Sequence, residues 1–195
     1  MAVRIVIIQG HPDPGGGHFG NALADAYARG AEAGGHQVRR IEVAGLDFPL
    51  LRNKQDWEDG SPAVAICQAQ SAVDWANHLV IVYPLWLGSM PALLKGFLEQ
   101  VFRPGFAISK PHGGKAWKKS LGGKSARVVV TMGMPAFIYR WYFLAHSLKS
   151  LERNILHFCG IGPVRESLVG LVEAADGTRR GKWLDRMQAL GRNAK

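Results

Sequence analysis

Apolar and polar positions alternate between two periods along this chain. Residues 3–8 (Val-Arg-Ile-Val-Ile-Ile) are a β-branched run without helical spacing, which predicts a buried strand. An Ala-rich stretch over about 20–33, stopped by Gly34-Gly35, predicts a helix. Val38, Ile41 and Val43 mark a second strand over 37–43, and residues 44–60 read as a polar loop. Ser61-Pro62 has the form of an N-cap followed by proline at the first helical position, predicting a helix over 61–77. His78 to Tyr83 is a third strand, ended by Pro84. Ser89-Met90-Pro91 opens a helix over 91–102, with Leu93, Leu94, Phe97, Leu98 and Val101 on one face. A Gly/Lys-rich loop covers 103–124. Residues 126–131 (Ala-Arg-Val-Val-Val-Thr) predict a fourth strand and 137–158 a long helical stretch. A fifth strand is expected over 163–172 and a last helix over 178–190.

Five strands alternate with five helices, and the first, third and fourth strands carry the most apolar runs. That pattern predicts an α/β three-layer sandwich of flavodoxin-like form: a five-stranded parallel sheet in order 2-1-3-4-5 with helices on both faces. No repeat or long linker interrupts it, so residues 1–195 are expected to form one domain. Ligands of such sheets sit beyond the carboxyl ends of the strands, at the switch between the first and third. The loops after residues 8, 83 and 131 are therefore the ones to read.

The first is Gly10-His11-Pro12-Asp13-Pro14-Gly15-Gly16-Gly17-His18-Phe19-Gly20-Asn21. Its glycines let the backbone approach an anion at a helix start, and His11 and His18 add donors. The spacing is neither G-x-G-x-x-G nor the P-loop pattern. His11, Asp13 and His18 also admit a metal reading, but the intervening glycines and prolines fix no geometry, and no metal is expected. The second, Tyr83 to Pro91, sets Trp86 and Gly88 above the central strand, a flat apolar side chain beside free amides that suits a planar heteroaromatic ring. The third, Thr131-Met132-Gly133-Met134-Pro135-Ala136-Phe137-Ile138-Tyr139, offers a hydroxyl, backbone donors and an aromatic. Together the three point to a phosphate-bearing planar ligand, a flavin.

Composition narrows the setting. The chain has 195 residues, 47% apolar and 20% charged, which fits a globular protein. Two cysteines, Cys67 and Cys159, exclude a disulfide framework or a zinc ribbon. The N-terminal apolar run is too short for a signal peptide, and no uninterrupted apolar stretch is long enough to span a bilayer, so a cytoplasmic location is expected. The formal charge is +9, which draws anions in general. Lys110, Lys115, Lys118, Lys119, Lys124 and Arg127 have no acidic residue among them, a solvated run or an attraction for NAD(P)H phosphates. With Trp117 as the only interleaved aromatic and no recognition motif, no nucleic acid partner is expected.

Pro84-Leu85-Trp86, Gly88, Pro91-Ala92-Leu93-Leu94-Lys95-Gly96-Phe97, Val101-Phe102 and Gly105-Phe106-Ala107 resemble the NAD(P)H:quinone oxidoreductases of the DT-diaphorase type and their bacterial relatives. Ile155-Leu156-His157-Phe158-Cys159-Gly160 is similar to a second block of that family, and His11-Pro12 with Phe19 and Asn21 resembles its phosphate loop. The resemblance implies a non-covalently bound flavin (FAD or FMN), a homodimer, and ping-pong transfer of a hydride from NAD(P)H to the flavin and of two electrons to a quinone. It implies that His11, Gly17, His18, Phe19 and Asn21 hold the flavin phosphate and ribityl groups. Pro84, Leu85, Trp86, Leu87 and Gly88 would lie along the isoalloxazine, with Thr131 and Gly133 at its other polar edge. Tyr139 would contact the ring, and His146 would stabilise the charge of the reduced flavin. Where relatives carry Ser or Thr in the phosphate loop this chain has Gly17, and Met132-Gly133-Met134 replaces a common Gly-Gly. The stretch from Phe137 to Leu148 is apolar almost all round, as expected at a dimer interface, with membrane contact peripheral at most. Two alternatives stand beside this reading. One is an ancillary subunit of a potassium-efflux antiporter that keeps a flavin site. The other is an electron shuttle, which the +9 charge disfavours.

Overall fold

The computed structural model describes residues 1–109 and 117–195. Five strands form one parallel sheet: β1 (Arg4–Gln9), β2 (Gln37–Glu42), β3 (His78–Pro84), β6 (Ser125–Thr131) and β7 (Val164–Val169). A two-residue ribbon, β4 (Ile108–Ser109) with β5 (Lys118–Lys119), lies apart from it. The sheet order β2-β1-β3-β6-β7 is the expected 2-1-3-4-5 by position.

Alternation along each buried strand feeds two cores. Ile5, Ile7, Val80, Val82 and Val129 face α1 (Phe19–Ala33) and α8 (Gly177–Arg192). Val6, Ile8, Leu79, Ile81, Val128 and Val130 face α3 (Val64–Trp75), α4 (Ala92–Val101) and the helical stretch after β6. Each such aliphatic side chain contributes roughly 1.5–3 kcal/mol on burial, which is why these strands carry few polar residues.

The structure moves some expected boundaries. The helix over 61–77 begins only at Val64, with Ala63 as its N-cap and no side-chain cap, so Ser61 and Pro62 precede it. The polar loop 44–60 contains a short helix, α2 (Lys54–Glu58), capped by Asn53. The buried Arg103 guanidinium holds this helix by donating to the Asp56 and Trp57 carbonyls. The stretch 137–158 is not one helix. It divides into α5 (Ala136–Trp141), α6 (His146–Ser150), a π-helical turn at Leu151–Leu156 and α7 (His157–Cys159). Leu144 and Ala145, at φ 52° and 48°, make the break.

Of the basic run, Lys110 and Lys115 fall outside the described residues. Lys118 and Lys119 are exposed on β5. Lys124 instead donates through Nζ to the Asp74 and Ala76 carbonyls at 2.6 and 2.7 Å, closing the end of α3.

His78 opens β3 from inside the protein. Its Nδ1 lies 2.8 Å from Ser125 Oγ, and its ring stacks on Tyr27 at 6.4 Å. Burial, with Arg127 and Arg165 nearby, lowers its pKa from the ordinary 6.5 to about 4. The unfolded chain therefore takes up this proton first as pH falls. The stability tied to neutral His78 is fully present above pH 6.5 and is lost as pH falls toward 4. A shift of that size corresponds to about 3 kcal/mol. Urea unfolding from pH 7 to 4 should show this loss, and His78→Gln should flatten the acid limb. Parallel pH profiles in the two proteins would refute the assignment.

Candidate functional site

Parallel register brings the three chosen loops together. Gln9 pairs with Val82, and the Gly10 N–H donates to the Val82 carbonyl at 2.7 Å, so the first loop leaves beside β3. Pro84 pairs with Thr131, and the Leu85 N–H donates to the Thr131 carbonyl at 2.7 Å, tying the second loop to the third. Between them opens a crevice of about 850 Å³.

Its first wall is the loop before α1. Asp13 organises this loop: Oδ1 accepts the Gly15 N–H at 2.8 Å and Oδ2 lies 2.7 Å from His18 Nε2. These bonds hold the Asp13 carboxyl below its usual pKa. The imidazoles of His11 and His18 stack with centroids 3.7 Å apart. Burial, then the neighbouring His18, lowers the pKa of His11. Its Nδ1 accepts the Asp13 N–H at 3.1 Å, which places the proton of neutral His11 on Nε2.

Gly16 and Gly17 follow at φ 66° and 76°. A Cβ on either would meet nothing within 4 Å, so open space borders both. His18 is the N-cap of α1 but its side chain does not cap the helix, and no acidic residue occupies the first turn. The helix start keeps its N–H groups and positive dipole end for an anion.

The opposite wall is apolar. Pro84, Leu85 and Trp86 line it, with Phe19 across the crevice. Trp86 stands edge-on to His11 at 5.8 Å and is half exposed. It closes a tight turn in which Trp86 and Ser89 exchange N–H···O bonds of 2.8 and 2.9 Å. Thr131 and Gly133 supply the floor on the side of the third loop.

Of the expected site residues, His11, Gly17, His18, Phe19, Pro84, Leu85, Trp86, Thr131 and Gly133 line this one crevice. Asn21 stands in the first turn of α1 outside the lining, with Oδ1 buried and without a hydrogen-bond partner. Leu87 and Gly88 form the tip of the turn at φ 46° and 77°, and the Leu87 side chain is fully exposed.

Tyr139 and His146 are not brought to the crevice. Tyr139 is buried, with its hydroxyl 2.8 Å from Ser147 Oγ and accepting the Leu148 N–H at 3.1 Å. The hydroxyl thus closes the open start of α6. His146 is exposed at the first position of α6. His11, Asp13 and His18 are tied to one another and to the backbone of their loop by hydrogen bonds.

Val172, Glu173, Arg180 and Leu184, from the β7–α8 connection and α8, complete the lining and were not singled out in the sequence. Arg180 donates to the Val172 carbonyl at 3.1 Å and lies over the Phe19 ring at 5.6 Å. Asp176 caps α8 by accepting the Arg179 N–H at 2.7 Å, and this Asp-x-x-Arg start is the signal that could have marked the wall.

The residues present fit a flavin. Open backbone at Gly16 and Gly17, an uncapped helix start and the His11 Nε2 donor suit a phosphate, and Leu85 and Trp86 suit a planar ring. Sheet order and crevice together define an α/β protein of the doubly wound class, with a crevice at the switch point between β1 and β3. The profile of the flavodoxin-like fold family matches residues 3–190, and the chain belongs to that family.

A ribosyldihydronicotinamide dehydrogenase [quinone] of Pongo abelii is 30% identical over 217 residues, covering 96% of this chain and 91% of that protein. An uncharacterized NAD(P)H oxidoreductase of Haemophilus influenzae is 28% identical over 174 residues, covering 86% and 84%. The NAD(P)H:quinone oxidoreductase structure from Methanothermobacter marburgensis superposes with a TM-score of 0.82 at 22% identity, over 100% of this chain and 98% of that one, which shows the shared fold. The chain spans 58%, 84% and 91% of the lengths of three curated relatives that it matches.

Proposed function

We propose that this protein is a flavin-dependent NAD(P)H:quinone oxidoreductase. The observation that carries the reading is the meeting of an anion-binding helix start and an apolar aromatic shelf in one crevice at the switch point of the sheet. The names of the relatives support it by pointing to a dihydronicotinamide donor and a quinone acceptor.

The chemistry a bound flavin supplies is two-electron: a hydride accepted from NAD(P)H, then reduction of a quinone from the same pocket in ping-pong order. This chain's residues bind and orient. The Gly16 and Gly17 amides and the first turn of α1 take the phosphate, with His11 Nε2 as a further donor. His18, held by Asp13, keeps the His11 ring in place by stacking. Leu85 and Trp86 would lie along the ring and limit its contact with water, while Thr131 and Gly133 would face its polar edge; all four line the crevice. Arg180 adds a cation at the rim for the anionic nicotinamide coenzyme.

The reading includes a homodimer. Phe137, Tyr142 and Phe143 are between 46% and 79% exposed, a large apolar surface for a lone chain. Mass in solution tests the homodimer.

The test is purification, release and mass identification of the bound flavin, and assay of NADH and NADPH oxidation with a benzoquinone. The expected result is a yellow protein, twice the chain mass by light scattering, that turns over at least one coenzyme. A protein that takes up neither FMN nor FAD would sink the proposal.

A further inference from the structure

We propose that a cationic trough along β7 binds a nucleoside diphosphate or triphosphate, at a second site apart from the crevice. The trough encloses about 790 Å³ and shares no lining residue with the crevice. Arg127 and Arg165 reach it from the amino-terminal halves of β6 and β7, whereas the crevice lies beyond the carboxyl ends of the sheet.

Six cations line it, each from a different element: Arg127, Arg140, Lys149, Arg153, Arg165 and Arg186. Only two carboxylates join them, Glu152 and Glu166, and Glu166 is already paired with Arg140. Among the described residues, Lys149, Arg153 and Arg165 have no carboxylate within 4.0 Å. Arg127 is buried and already engaged: it donates to the Lys195 main-chain oxygen at 2.5 Å, to Ser167 Oγ at 2.7 Å and to the Glu166 carbonyl at 3.3 Å, which leaves Lys149, Arg153 and Arg165 as the cations open to a ligand. Burial lowers its pKa most, with Arg165 and Arg186 adding to the lowering and Tyr27 opposing it. A ligand with several negative charges would offset the cations that have no carboxylate partner.

The trough is not only basic. Trp141 lines it with its side chain largely in solvent, and Leu144, Leu148 and Leu190 line it too. An indole lining the same cavity as several cations suits a planar base linked to phosphates. The volume lies within the ordinary range for small-molecule sites. The assignment does not depend on what the crevice binds.

The test is calorimetric titration of the protein as purified with ADP, pyrophosphate and adenosine. ADP should bind saturably with a Kd below about 1 mM, and pyrophosphate about tenfold more weakly. Adenosine should not bind. The double variant Lys149→Glu, Arg153→Glu should weaken ADP at least tenfold, roughly one lost charged contact or more. Trp141→Ala should weaken ADP but leave pyrophosphate unchanged. Arg180→Ala, at the crevice, should leave ADP binding unchanged. Melting curves establish that each variant is folded. Absence of saturable ADP binding overturns the proposal. So does ADP binding that only the Arg180 variant weakens, or ADP binding no tighter than pyrophosphate and indifferent to Trp141.

Discussion

A valine at position 191 should pry α8 away from α1 and lower the melting temperature by about 10 °C, the consequence of a loss near 4 kcal/mol. Gly191 sits where the two helices touch through their backbones. A Cβ there would strike the Tyr27 carbonyl and come within 2.9 Å of the Ala31 amide, both in rigid helix. On the facing helix, a Cβ at Gly30 would likewise meet the Gln188 backbone. Neither contact can yield by rotating a side chain, so the helices must separate. Separation uncovers Leu23, Tyr27, Ala28 and Met187, which form the core on that face of the sheet. Gly191→Ala meets the same atoms and should give a smaller loss in the same direction. Thermal unfolding followed by circular dichroism reads both, and an unchanged midpoint in the valine variant would show that α8 is free to shift.

Gly17→Val should cost the protein its cofactor before it costs the protein its fold. The position has φ 76° and open space where a Cβ would be, so the side chain fits but the backbone does not. Holding a β-branched residue there costs roughly 1–3 kcal/mol, and the loop relieves it by turning its amides away from the crevice. If those amides grip a flavin phosphate, flavin affinity falls about 10- to 100-fold, the same cost read as a binding constant. The flavin-free variant should melt close to the parent, because the loop lies at the surface. Fluorescence titration with FMN and FAD measures the difference. Equal flavin affinity in the two proteins would remove this loop from the phosphate site.

Much of this architecture was readable in the chain because a parallel sheet leaves a strong pattern. The runs at 3–8, 78–83 and 126–131 are buried on both faces over most of their length, and such strands favour consecutive apolar residues. The three loops were legible for a related reason, since sheet order alone puts them at one edge. What escaped was decided by contacts between distant residues. The break in 137–158 has no glycine or proline to mark it. It depends on Tyr139, whose hydroxyl takes the Leu148 amide and so allows a second helix to start. The same bond removed Tyr139 from the crevice, a placement its spacing from Thr131 did not reveal. Arg180 and Glu173 were missed because they lie about 35 to 40 residues beyond the third loop, and only the packing of the β7–α8 connection and α8 carries them to the rim.

The sheet also governs how copies of this chain can meet. Its outermost strands, β2 and β7, offer unpaired backbone to anything that could extend the ladder. Arg39 and Arg40 stand on one border and Arg165 on the other, all exposed. Two molecules approaching border to border would press guanidinium against guanidinium and strip both of water. Growth of a continuous ladder is thereby discouraged at either side, and self-association is left to helical surfaces, where its size is finite.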